Sequence, residues 1–151
     1  MSPTRNQVFT ALFALTASLE IDAGGTLFAL RSRKFKAWSA VPADQQPALF
    51  QTEHTEQSTQ RTGMDAARRF HASWTVYLRS DDSDPLDLGT VKLNDCLDAI
   101  ENAFAGATDL QGKQTLGGLV YHAYIDGQII KIPGDEDGQG MLVVPITLLV
   151  P

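Results

Sequence analysis

Between Phe70 and Arg79 apolar and polar side chains alternate almost without a break. Phe70, Ala72, Trp74, Val76 and Leu78 interleave with His71, Ser73, Thr75, Tyr77 and Arg79. Successive side chains of a β-strand point to opposite faces, so this stretch predicts a half-buried strand with one face in a core. Such a strand needs neighbours and a cover for its apolar face. The cover is legible on either side of it. Val8, Leu12, Leu15 and Leu19 form one stripe of a helix predicted over residues 5–20, with Thr4 as N-cap and Asp22-Ala23-Gly24-Gly25 as its stop. Leu93, Leu97, Ile100 and Phe104 form the inward stripe of a second helix over residues 91–105, with Asp95, Asp98 and Glu101 facing out and Thr90 as its cap.

Two further β-rich stretches close the sequence. Residues 116–127 and the dense apolar run 141–150 flank a polar loop, Gly134-Asp135-Glu136-Asp137-Gly138-Gln139-Gly140. They read as a projecting hairpin whose loop is too long for a minimal turn, and an element so placed is expected to touch a partner. Residues 48–56 read as a strand that starts buried and turns polar, and residues 57–69 as a long loop or an extended hairpin tip. Residues 80–89 are a polar linker holding Asp81, Asp82, Asp84, Asp87 and Pro85. Residues 26–41 are ambiguous: Phe28, Phe35 and Trp38 suit a short packed helix that Val41-Pro42 breaks.

The order of elements gives one α+β domain over residues 1–151: an antiparallel or mixed sheet with two helices packed on one face, and long projecting loops. The other face, with Thr52, His54, Ser73, Thr75 and Tyr77, is expected to stay semi-polar and available for contact.

Charge and composition narrow the function. A net charge of −6 argues against gripping a phosphate backbone, and the densest basic stretch, Arg31 to Lys36, reads as a solvated face. The single Cys96 cannot form an internal disulfide, and its place in the second helix reads as a buried structural thiol. Val8 to Leu15 after Arg5 could pass for a secretory h-region, but Ala14 and Ala17 miss the Ala-x-Ala spacing, and the amphipathic helix is the favoured reading. No apolar run approaches the roughly 20 residues of a membrane span.

Catalytic constellations are sparse. His54, His71 and Glu56 could converge on a metal if their strands were neighbours, yet no pair has the helical or cysteine spacing that makes a ligand set specific. Polar residues on an exposed face are the simpler reading. Asp135-Glu136-Asp137-Gly138 resembles the start of a calcium loop but lacks the later acidic ligand. There is neither a Gly-x-Ser-x-Gly elbow nor a Walker lysine after a glycine cluster. The expectation is a non-enzyme without cofactor or metal, read through its surfaces.

The order of several segments points to a family. The first helix, the strand start Pro47-Ala48-Leu49-Phe50, the strand Trp74-Thr75-Val76-Tyr77 and the helix Leu93-Asn94-Asp95-Cys96-Leu97-Asp98-Ala99-Ile100-Glu101 are followed by Gly134-Asp135, Gly138-Gln139 and Val144-Pro145-Ile146. In this arrangement the chain resembles the phage tail terminators, the minor tail protein U type of long-tailed phages and prophages, over nearly its whole length. The resemblance implies a structural virion protein at the head-proximal end of the tail, assembled in the host cytoplasm. It implies a self-associated ring, typically a hexamer, seated on the last ring of tail tube protein. That ring stops polymerisation, presents its other surface to a head-completion or neck protein, and meets DNA only as passing cargo. No catalytic residues come with it, and no membrane is involved.

A ring needs heterologous interfaces that close. The candidates for assembly-interface or lumen positions lie in residues 57–69 and 132–140: Gln57, Arg61, Gly63, Met64, Arg68, Arg69, Asp135, Glu136, Asp137 and Gln139. Both loops lack apolar anchors and are expected to become ordered in the assembly. Asp135, Glu136 or Asp137 would serve a lumen that repels DNA or a tube-facing surface, and both alternatives stand. The competing readings are another head–tail joining or tube component and, from a different class, a small cytosolic metal-dependent enzyme or ligand-binding domain using the His54/His71 face.

Overall fold

The computed structural model describes residues 2–59, 67–106 and 108–151. Among them are two α-helices, α1 (Arg5–Ala14) and α2 (Gly89–Gly106), and a six-stranded mixed sheet. The strands are β1 (Leu30–Ser32), β2 (Ala48–Thr59), β3 (Ala67–Arg79), β4 (His122–Ile125), β5 (Ile130–Ile132) and β6 (Gln139–Val150). Their order is β1-β2-β3-β6-β4, and β5 joins the same edge of β6 as β4. Only β1, against β2, runs parallel to its neighbour. The fold is α+β, as the sequence pattern implies.

Register divides the side chains into two populations. Phe70, Ala72, Trp74 and Val76 of β3 stand opposite Leu148, Ile146, Val144 and Leu142 of β6. All eight are buried, and they form one core with Val8, Phe9 and Leu12 of α1 and Leu93, Cys96, Ile100 and Phe104 of α2. Both helices therefore cover one face. Phe9 stacks on Phe70 at 5.5 Å between ring centres, and Trp74 meets Phe104 at 5.3 Å. Cys96 is fully buried in this core, and loss of solvation pushes its thiol up to about 12.

A polar relay runs through the apolar core. The Trp74 indole N–H donates to Gln51 Oε1 at 3.0 Å, and Gln51 Nε2 donates to the Phe9 carbonyl at 3.0 Å. This ties α1 to the two strands beneath it while satisfying a buried indole and a buried amide. At the helix start, Thr4 and Gln7 form a capping box, each side chain bonding the other's backbone N–H.

Several expectations are corrected. The first helix ends at Ala14, not near Glu20. Residues 15–17 tighten into i→i+3 turns, where the Thr16 hydroxyl donates to the Phe13 carbonyl at 2.7 Å and competes with the helical ladder. Asp22 to Gly25 instead build a separate turn, in which Asp22 Oδ1 accepts from the N–H groups of Gly24 and Thr26. The second helix starts at Gly89, so Thr90 lies inside it; a side chain at Gly89 would run into the Pro133 carbonyl. Residues 26–41 hold β1 and a 3-10 turn over Trp38–Ala40 in place of a short α-helix. Within residues 116–127 only β4 is strand. Leu116 and the two glycines after it have positive φ and turn the chain, and Gln114 holds the turn by donating to the Ala103 and Phe104 carbonyls of α2 and accepting the Leu116 N–H.

Two outcomes follow. Gln51→Leu leaves the Trp74 indole without its acceptor, and urea unfolding is expected to show a loss of about 1–3 kcal/mol. Asp22, Asp81, Asp87 and Asp109 ionise below their ordinary value of 3.8, held there chiefly by the Thr26 N–H, the Ser83 hydroxyl, the Asp81 N–H and the Lys113 N–H respectively. As pH falls the unfolded chain takes up these protons first. The stabilisation is thus present above 3.8 and lost as pH drops through the lower folded values, so melting temperature should fall below about pH 4.

Candidate functional site

The second side-chain population faces away from the helices. At one end of that face residues 33–46 lie across the sheet as a strap. The Tyr77 hydroxyl donates to the Lys36 carbonyl at 2.7 Å, Phe35 packs edge-on against Phe50 at 6.1 Å, and Val41, Ala48, Phe50 and Tyr77 form a second small core. Tyr77, expected on an available face, is therefore buried, and burial pushes its phenol up. Beyond the strap the face is uncovered. A groove of about 530 Å³ runs between Phe35, Thr52, His71, Val143 and Pro145. Ser73 and Thr75 lie buried in its floor, and the Thr52 hydroxyl oxygen there is buried without a hydrogen-bond partner.

The histidines divide differently from a metal set. β2 and β3 are neighbours, and a bulge between Glu53 and Glu56 sets His54 and Thr55 opposite His71. His54 Nε2 pairs with the Ser73 hydroxyl at 2.7 Å, and His71 Nδ1 with the Thr147 hydroxyl at 3.2 Å. Glu56 does not join them: its carboxylate binds Arg5 at 2.8 Å on the helix-bearing face. Among the described residues no three His, Cys, Asp or Glu side chains could hold an ion. His122 stacks on Tyr124 at 4.9 Å, and its Nδ1 accepts the Gln114 N–H at 3.1 Å. The Ser73–His54 pair has the reach of a nucleophile and base. Ser73, however, stands on a strand paired on both sides, where backbone N–H groups serve the ladders instead of an oxyanion.

The sequence-derived candidates collect at the two ends of the β3–β6 pair. At one end Gln57 stands opposite Arg69, and Arg69 opposite Leu149. The strands are paired as far as Thr59 and Ala67, so the outer part of residues 57–69 is a hairpin stem. Arg61, Gly63 and Met64 lie outside the described residues. Arg69 is exposed, with Tyr121 and Leu149 beside it around a hollow of about 340 Å³. Arg68 is not free for a partner. Its guanidinium donates to the Pro3 carbonyl at 2.9 Å and the Pro151 carbonyl at 2.7 Å, and lies over the Phe70 ring.

At the other end β5 ends at Ile132 and β6 begins at Gln139, so the loop expected over residues 132–140 shrinks to 133–138. It is closed by the Gly138 N–H donating to the Gly134 carbonyl at 2.7 Å, and docked by the Ser80 N–H donating to the Gly138 carbonyl at 2.8 Å. Gly138 has a φ of +75° and sits so close to the Ser80 carbonyl that a side chain would collide. Backbone bonds, not the absent apolar anchors, thus fix this loop within a single chain. Asp135, Glu136 and Asp137 are exposed at its tip.

Gln139 is buried and is a support, not a surface. Its amide pairs reciprocally with Gln46, at 2.8 and 3.0 Å, and its Oε1 also accepts from Arg79 at 3.2 Å. The residues that sequence reasoning missed here are apolar. Trp38 and Ile132 are 53% and 46% exposed and line a hollow of about 540 Å³ with Met141 beneath the carboxylates. Trp38 and Phe35 stand out in the sequence, where they suit a short packed helix, but nothing local told inward from outward.

No protein-family model matches the chain, and no curated protein matches it. No helix among the described residues is long and apolar enough to cross a membrane.

Gln139→Leu is expected to strand the Gln46 and Arg79 donors and lower stability by about 1–3 kcal/mol in urea unfolding. Glu136→Gln, at the exposed tip, should stay within about 0.5 kcal/mol of the parent in the same measurement.

Proposed function

We propose that this protein is a structural virion component of the tail-terminator type. It forms a ring on the end of a phage tail tube, stops tube polymerisation and offers its other surface for head attachment. The observation that carries the reading is the half-covered sheet. One face is closed by both helices, whereas the other is closed only under residues 33–46 and beyond them exposes a groove in which Phe35, Val143 and Pro145 stand beside Thr52, His54, His71 and Asp126. Large apolar side chains lie open on this side, each about half exposed: Phe35 lines the groove, Ile130 pairs with its Val143, Trp38 and Ile132 line the hollow at the acidic turn, and Tyr121 lines the one at Arg69. Apolar surface gathered in this way marks a contact with another protein. The order of helix, long hairpin, helix and closing strands supports the same reading.

In this role the partners are other copies of the chain, the tube protein below and a neck protein above. DNA passes through without being gripped, in keeping with the net charge of −6. A tube subunit would share the same environment but would polymerise without limit.

Light scattering and negative-stain microscopy of the purified protein, alone and with tail tubes, test the proposal. Closed rings, or monomers that gather as one ring on tube ends, are the expected result. Long tubes would reassign the chain as a tube subunit, and a persistent monomer indifferent to tubes would overturn the reading.

A further inference from the structure

The uncovered sheet face differs in character between its two ends. The end at β5 presents the carboxylates of Asp135, Glu136 and Asp137 on a fixed turn above the exposed Trp38 and Ile132. The end at β4 presents the Arg69 guanidinium beside Tyr121, which is 57% exposed. None of the salt bridges among the described residues uses Arg69 or any of the three carboxylates. Two cations close to the acidic end are already engaged: Arg79 on the Gln139 amide and the Asp137 carbonyl, and Lys131 on Asn94.

Each end thus presents charge of one sign that forms no salt bridge among the described residues, with an aromatic side chain next to it, although Lys34 and Lys36 of the strap are also exposed and in no such bridge. The two ends cannot meet within one copy. Ile132 pairs with Met141 and Arg69 with Leu149, and those β6 positions lie about 27 Å apart at roughly 3.4 Å per residue.

We propose that the two ends meet between copies: the Trp38–Ile132 surface and acidic turn of one subunit seat the Arg69–Tyr121 end of the next. The partner is a second copy of this chain. Such a contact joins two different patches, so it propagates from subunit to subunit and closes when the rotation per step permits. An exposed ion pair contributes little by itself. Here Trp38 and Tyr121 would exclude water from the charges, which strengthens their attraction and fixes the docking register. The proposal rests on the ring reading and deepens it by naming both halves of the subunit contact, with the carboxylates turned to a neighbour and not to a lumen.

The test is a charge swap. R69E and D135K/E136K each place like charges across the contact. Each variant alone is expected to need at least about tenfold more protein to assemble, on its own or on tubes. An equimolar mixture of the two variants restores opposite charges at every contact and should recover assembly, as should R69E/D135K/E136K in one chain. All these side chains are exposed, so unchanged circular dichroism and melting of the unassembled variants would show that folding is intact.

One-sided variants that assemble like the parent would overturn the contact and leave the ring standing. Loss of assembly without recovery in the mixture would overturn it as well. A parent protein that forms only dimers yet obeys the swap would uphold the contact and remove the ring. A parent that stays monomeric with and without tubes would overturn both.

Discussion

The pairing of β3 with β6 is the constraint on which the rest of the molecule depends. It is antiparallel and continuous from Arg68↔Val150 to Arg79↔Gln139. Along it every even-numbered residue turns to the helices and every odd-numbered one to the other face. Shifting the register by one residue would bring Phe70, Trp74 and Val76 into water and bury Arg69 and His71. The cost of exposing such side chains, about 1.5–3 kcal/mol each, makes that slip prohibitive. The same register puts Arg69 and the acidic turn on one face, at opposite ends.

Polar groups complete what apolar packing begins. Gln51 links Phe9 to Trp74 on the covered side, and Gln46 and Gln139 link the strap to the base of the acidic turn on the other. Gln114 and Arg68 do similar work, the first at the end of α2 and the second between Pro3 and Pro151. Each is a long side chain satisfying backbone or amide groups that lie wholly or partly out of water. They hold the surface features in place without adding apolar area. An assembly surface gains from that rigidity, because little conformational entropy is then lost on docking.

Much of the fold was legible because alternation and helical stripes report burial directly. The strand at Phe70–Arg79 and the Leu93, Ile100 and Phe104 positions of α2 follow from period, and the buried Cys96 from its place within that helix, whereas Leu97, read as inward, is only half-buried. The early end of α1 was not, because Leu15 and Leu19 continue the stripe while Thr16 breaks the ladder through its own carbonyl bond. Residues 30–46 were unreadable for a different reason: β1 is three residues long, and the strap is held by contacts with Phe50, Tyr77 and Gln139 far along the chain. Of the surface candidates, Gln57, Arg69 and the three acidic residues lie exposed, whereas Arg68 and Gln139 are committed to internal bonds that no local pattern reveals. The exposure of Trp38 and Tyr121 was not legible, because Trp38 reads as part of a short packed helix and Tyr121 as part of a β-rich stretch.

The chain carries two tryptophans, Trp74 fully buried in the covered core and Trp38 half exposed on the strap. Acrylamide quenching of their fluorescence, before and after assembly, therefore reads the uncovered face almost alone. If that face is where copies of the protein meet, Trp38 is quenched freely in the monomer and becomes shielded when the particle mass rises. Particles that assemble while Trp38 stays as accessible as before would contradict the account.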